Sequence, residues 1–187
     1  MNPPRTPADP PSELLLPGWL NSGPDHWQSR WQSLRPGIRR VEFGSWERPD
    51  RSGWLAALGA AVRACPGAPL LIGHSLGCLA AAAWIARHGP ERVAAVMLVA
   101  PPDPERADSP EPIRCFAPVT PVPLNVPGLV VSSSDDPYAE QNVVRGWAEG
   151  WGLEHICIGA RGHINAGSGL GDWPQGLALL ERLRRRC

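Results

Sequence analysis

A short apolar run, Leu70-Leu71-Ile72, passes without a break into Gly73-His74-Ser75-Leu76-Gly77, and an alanine-rich stretch follows. No other segment limits the possible folds so sharply. Three apolar residues bounded by turn formers read as a buried strand, and residues 76–87 read as a helix that Gly89-Pro90 ends. Between them the G-x-S-x-G spacing marks a sharp strand-to-helix turn, where crowding of the backbone admits only small residues at both ends. Such a turn lifts the serine hydroxyl above the sheet edge and points the helix N-terminus at negative charge developing there. A glycine-rich βα turn without chemistry would share the spacing. The strand before and the helix after favour Ser75 as a nucleophile.

The rest of the chain repeats this alternation. Runs at 14–16, 40–44, 93–100, 129–133 and 153–158 read as strands; 54–62, 138–151 and 174–186 read as helices. Trp27, Trp31 and Leu34 mark one more helix by their spacing. Residues 101–127 carry nine prolines and no period, so an irregular loop or small lid is expected. Alternating strands and helices predict an α/β fold: a mostly parallel sheet covered on both faces, with ligands at the carboxyl edge of the strands. With 187 residues, 43% of them apolar, the chain fits a single domain over 1–187, its proline-rich first twelve residues flexible.

Composition excludes several functions. The 18 basic and 18 acidic residues cancel, leaving no field to gather nucleic acid or an anionic membrane. Every basic residue is arginine; without lysine there is no phosphate-loop lysine, Schiff base or pyridoxal anchor. Five scattered cysteines without a C-x-x-C pair read as reduced thiols, hence a cytoplasmic protein. No H-E-x-x-H motif or ligand cluster occurs, so neither metal nor other cofactor is expected. No run approaches the ~18 apolar residues that cross a bilayer, and no signal-peptide stretch opens the chain.

A serine nucleophile on such a sheet needs an acid and then a histidine, each after a later strand. Asp136 and His163 stand in that order; Asp135 is the rival acid, but Asp136 is favoured and Asp135 is read as the local turn or cap residue. Of the other histidines, His74 adjoins Ser75 and cannot turn back to serve it. His88 suits a helix end, His155 falls within a strand, and His26 could border the site. The oxyanion hole takes one N–H from Leu76 and a second from the loop after the first strand, with Trp19 the first choice and Leu20 the second. Trp173 and Leu20 are the candidate substrate-binding residues, supplying apolar walls.

Four blocks then resemble a known group: Leu16-Pro-Gly-Trp-Leu-Asn-Ser-Gly-Pro-Asp-His-Trp27, Gly73-His-Ser-Leu-Gly77, Ser134-Asp-Asp-Pro-Tyr138 and Gly162-His-Ile-Asn-Ala-Gly-Ser-Gly-Leu-Gly-Asp-Trp-Pro174. Together they are similar to short bacterial α/β-hydrolases related to retinoblastoma-binding serine hydrolase. The resemblance spans the chain after about residue 12, and its first and last blocks are its most specific. It implies a compact three-layer αβα fold with a minimal lid, and it puts the family's serine, acid and histidine on Ser75, Asp136 and His163. It also implies a serine hydrolase acting on a small-molecule ester. A hydrolase-fold binding module, or a thioesterase, amidase or acyltransferase using the same three residues, is the alternative. No protein partner is indicated.

Overall fold

Six strands lie side by side, every pair parallel, in the order β2-β1-β3-β4-β5-β6: Glu13–Leu16 (β1), Ile38–Arg40 (β2), Leu70–His74 (β3), Ala95–Val99 (β4), Gly128–Ser132 (β5) and Glu154–Cys157 (β6). This computed structural model describes residues 12–187. The expectation of a flexible lead falls outside them except at Ser12, whose carbonyl accepts the N–H of Leu70 at 2.7 Å. β2 starts two residues earlier than the 40–44 run suggests. It pairs with β1 from Ile38↔Glu13 to Arg40↔Leu15, and after it only the N–H of Val41 bonds across, to Leu15.

Strand side chains alternate between two cores, as the pleat requires. Leu14, Leu16, Leu71, Val96, Leu98 and Val130 face one; Leu15, Leu70, Ile72, Met97, Leu129 and Val131 face the other. The helices divide to match. Arg51–Arg63 (α2), Leu76–His88 (α3) and Gln141–Trp151 (α4) cover the first face, while Trp27–Leu34 (α1) and Pro174–Arg184 (α5) cover the second. The reason is handedness: right-handed crossovers put on one face every helix whose connection runs towards β6, and on the other the helix of the reverse step, β1 to β2. The 101–127 segment is irregular apart from the 3₁₀ turn Glu111–Phe116, which buries Ile113 and Phe116 against the first core.

The chain leaves β1 in one direction for β2 and returns past it to β3, so β1 and β3 flank the switch point of the sheet. A crevice opens outside the carboxyl ends of such strands. Buried Gln28 spans the two strands, its amide donating to the carbonyls of Leu16 (3.3 Å) and Ile72 (3.1 Å). Contact is closest at Gly77, where an added Cβ would stand 2.1 Å from the Leu16 carbonyl oxygen. Gly77→Ala is therefore expected to prise β1 from α3 and cost about 1–3 kcal/mol or more. Gly67→Ala, whose Cβ would meet nothing within 4 Å, serves as the control. Urea melts of the two variants that coincide would show this contact to be dispensable.

Candidate active site

Ser75 sits between β3 and α3 with φ 53° and ψ −126°, a conformation that costs a non-glycine residue about 1–3 kcal/mol. Its neighbours make the turn possible. Its N–H donates to the Val99 carbonyl at 2.9 Å, extending the sheet ladder into the turn. A Cβ on Gly73 would lie 3.0 Å from the Cys78 backbone, and one on Gly18 would lie 2.6 Å from Ser75 Cβ and 3.1 Å from its Oγ. The two outer glycines of G-x-S-x-G are thus steric requirements. Gly18, which the motif does not include, is a third.

The Ser75 hydroxyl lies 2.8 Å from Nε2 of His163, and Nδ1 of His163 lies 2.9 and 3.0 Å from the two carboxylate oxygens of Asp136. A carboxylate can only accept, so Nδ1 carries the proton and Nε2 offers its lone pair to the hydroxyl. Both partners are shielded from water, His163 at 8% and Asp136 at 4% side-chain exposure. Asp136 Oδ1 also accepts the Tyr138 N–H at 2.9 Å, and the Tyr138 ring lies edge-on 4.5 Å from that of His163.

Asp135 points elsewhere. Its Oδ1 accepts from Ser133 Oγ and from the Gly162 N–H, both at 2.7 Å, and Ser133 Oγ in turn accepts the Arg161 N–H at 2.8 Å. These bonds, led by the one from Ser133, hold its carboxyl below the usual carboxylate range. Asp135 fastens the histidine loop instead of capping α4. The same loop is held from below by two residues that sequence reasoning had given no such role. His74 Nε2 donates to the His163 carbonyl (2.9 Å), and Trp27 Nε1 donates to the Ile164 carbonyl (2.8 Å). Ile164 itself has a positive φ of 48°, so His163 is followed by a strained residue that needs such support.

A cavity of ≈ 280 Å³ opens over Ser75, walled by Trp19, Leu20, Ile113, Tyr138 and His26 among others. Leu20 lies on it with 57% of its surface exposed. Trp173 does not. It is 1% exposed in the core beneath α1 and α5, stacked on Trp31 (5.7 Å between centroids) and edge-on to Trp27 (5.1 Å). The cause is the turn at its φ of 45°, which folds the indole onto Gly176, where a Cβ would come within 2.3 Å of the ring. The N–H groups of Trp19 and Leu76 meet no acceptor among the described residues, whereas the Leu20 N–H is used by the Trp46 carbonyl at 3.0 Å. Among those residues no three His, Cys, Asp or Glu side chains are grouped to hold a metal ion, and no helix is long and apolar enough to cross a membrane. All five cysteines are free thiols.

The serine hydrolase family model matches residues 13–182, so the chain belongs to that family. A YdeN-like hydrolase of Pectobacterium atrosepticum SCRI1043 is 35% identical, with a TM-score of 0.83 over 93% of this chain and 90% of that one. The ydeN gene product of B. subtilis (18% identity, TM-score 0.74, 92% and 98% covered) has the same fold. So does an esterase of Thermogutta terrifontis (17%, 0.64, 93% and 89%). No curated protein matches the sequence. The compact α/β-hydrolase fold and membership of a hydrolase family are thereby established.

His26 and His74 form a buried pair, ring centroids 4.5 Å apart, and desolvation pushes His26 down to about 3 and His74 well below the ordinary imidazole value. Both stay neutral in the fold, while the unfolded chain takes up protons below about pH 6.5. Their contribution to stability is therefore complete above that pH and is lost as pH falls towards 3. The loss reaches up to about 1.4 kcal/mol per pH unit for each ring. Urea melts at pH 7.5, 6.0 and 5.0 are expected to show falling stability across the window. A flat or rising profile would contradict neutral burial.

Proposed function

We propose that this chain is a serine esterase that cleaves small carboxylic esters through an acyl-enzyme, with Ser75, His163 and Asp136 as its catalytic triad. The observation that carries this reading is the unbroken relay from Ser75 Oγ through His163 to Asp136. In the first half-reaction Ser75 Oγ attacks the ester carbonyl as His163 Nε2 takes its proton. Asp136 stabilises the imidazolium through Nδ1–H. The negative oxygen of the tetrahedral intermediate falls to the N–H groups of Leu76 and Trp19, neither of which has an acceptor among the described residues. Collapse expels the alcohol, which leaves with the proton from His163. A water molecule, deprotonated by the same nitrogen, then releases the acid and restores Ser75.

The finer kinship to bacterial relatives of retinoblastoma-binding serine hydrolase belongs to the same proposal and rests on the four sequence blocks. A cytoplasmic location, read from the scattered cysteines, and a small-molecule partner without nucleic acid, membrane or cofactor, read from the composition, belong to the proposal too.

Two measurements test the reading. A fluorophosphonate probe is expected to modify Ser75 alone, by peptide mass spectrometry, and Ser75→Ala to abolish both labelling and ester turnover. EDTA should change neither. An adduct on another serine, or turnover restored by zinc, would displace the mechanism.

The aspartates give the second test. Asp136→Asn removes the charge beside Nδ1 and is expected to lower kcat on the order of 10⁴-fold. Asp135→Ala only loosens the loop that carries the base, so a loss of roughly 10- to 100-fold is expected, in kcat rather than KM. The reverse ranking, in variants whose circular dichroism matches the parent, would move the acid to Asp135.

A further inference from the structure

A second cavity, of ≈ 290 Å³, lies on the first face of the sheet and shares no lining residue with the one over Ser75. Its walls come from three places. Leu79 and Ala83, one helical turn apart, belong to α3; Trp151 ends α4; Phe116 and Val119 belong to the proline-rich segment before β5. Leu79, Phe116 and Trp151 are almost fully buried, whereas Val122 beside them is left 38% exposed. The fold thus leaves apolar surface uncovered in a concave site, at the small end of the ~300–1,000 Å³ typical of ligand pockets.

Two charges line this cavity and both are positive, Arg51 and Arg87. Neither has a carboxylate within 4 Å among the described residues. Arg87 suits its place, since a cation in the last turn of α3 complements the helix dipole. Arg51 does not: it opens α2, where the dipole disfavours a cation. Asp50 beside it is turned to the Gly53 N–H as the helix cap (2.6 Å), and Glu111 on the 3₁₀ turn forms no ion pair either. The Arg51 guanidinium lies instead 5.9 Å from the centre of the Phe116 ring, on the cavity wall.

These walls select by two criteria. A cationic ligand would be repelled, and a small inorganic anion would leave the apolar surface uncovered. A wholly apolar ligand would leave both guanidiniums without a counter-charge. An apolar body with one anionic group meets both, and a carboxylate matches the planar fork of a guanidinium.

We propose that this cavity binds a small apolar carboxylate, a single short chain or ring whose charged end is held by Arg51 and Arg87. The site is separate from the hydrolytic one and does not rest on the esterase reading.

Calorimetric titration of the full chain with octanoate, 1-octanol, octylammonium and acetate tests it. Octanoate is expected to bind at least roughly 10-fold more tightly than each of the others. Arg51→Gln and Arg87→Gln should each weaken octanoate roughly 10-fold, in variants whose circular dichroism matches the parent. Ala83→Phe fills the cavity from half-buried helix surface without changing a charge, and should abolish octanoate binding. Arg63→Gln is the control, because Arg63 lines a neighbouring cavity that Arg87 also borders.

Octanoate that binds no better than 1-octanol, or an affinity that survives either arginine substitution, overturns the proposal. So does an affinity that falls as far with Arg63→Gln, which would move the anion to the neighbouring cavity. Fluorophosphonate labelling of Ser75 is read separately: an unlabelled serine sinks the esterase and leaves these outcomes unchanged.

Discussion

The end of β1 rests directly on the turn that carries Ser75, and the site depends on that approach. Three glycines permit it. Gly77 admits the Leu16 and Pro17 carbonyls, Gly18 lies flat against the Ser75 side chain, and Gly73 lets the strand fold back over the start of α3. A side chain on Gly77 or Gly18 would separate the N–H-bearing loop after β1 from the hydroxyl it faces. The arrangement also explains why Gln28 is fully buried though polar: its amide bonds the carbonyls of Leu16, the last residue of β1, and of Ile72 in the middle of β3.

Around this fixed point the histidine loop needs separate support. Bonds within the loop, from the Ile164 N–H and the Ser168 hydroxyl to the Arg161 carbonyl, shape it but do not tie it to the sheet. The restraint comes from three other parts of the chain: Asp135 after β5, His74 at the end of β3 and Trp27 at the start of α1. Each bonds the loop's backbone and leaves the imidazole free for its two partners. His74 occupies the variable position of G-x-S-x-G, and its role becomes apparent only when the loop 89 residues away is folded over it.

That distinction marks what the sequence made legible. Strand-helix alternation, the sheet's carboxyl edge and the residues meeting there follow from local patterns: apolar runs, turn formers, and an acid and a histidine each placed after a strand. Ser75, Asp136 and His163 are found this way because topology alone carries them to one edge. Features set by contacts between distant segments are not. The end of β2 depends on its pairing with β1, since Arg39 and Arg40 give no apolar signal. Trp173 looked like a cavity wall because its block adjoins the histidine; a positive φ and the space left by Gly176 turn it into the core. Gly18 had no local signal beyond that of an ordinary loop glycine, whereas His26, read from its loop as able to border the site, does line the cavity.

The two edges of the sheet differ in what holds them together. At the carboxyl edge Leu20, Asn21, Ser75, Ala100 and Ile164 all have positive φ, so strain collects where the cavity is built. Backbone bonds restrain it: Ser75 N–H to Val99, Ala100 N–H to Val131, Leu20 N–H to Trp46. At the opposite edge Glu13, nearly buried, lies between Arg35 (3.2 Å) and Arg184 (3.3 Å), joining β1 to the ends of α1 and α5. Burial there raises the Glu13 carboxyl against the pull of the two arginines, so the pair contributes fixed geometry more than net stability. At the other edge, the walls of the cavity over Ser75 carry no charged side chain. The cavity is left with neutral donors and acceptors, and the carboxylate of Asp136 meets it only through its contact with His163.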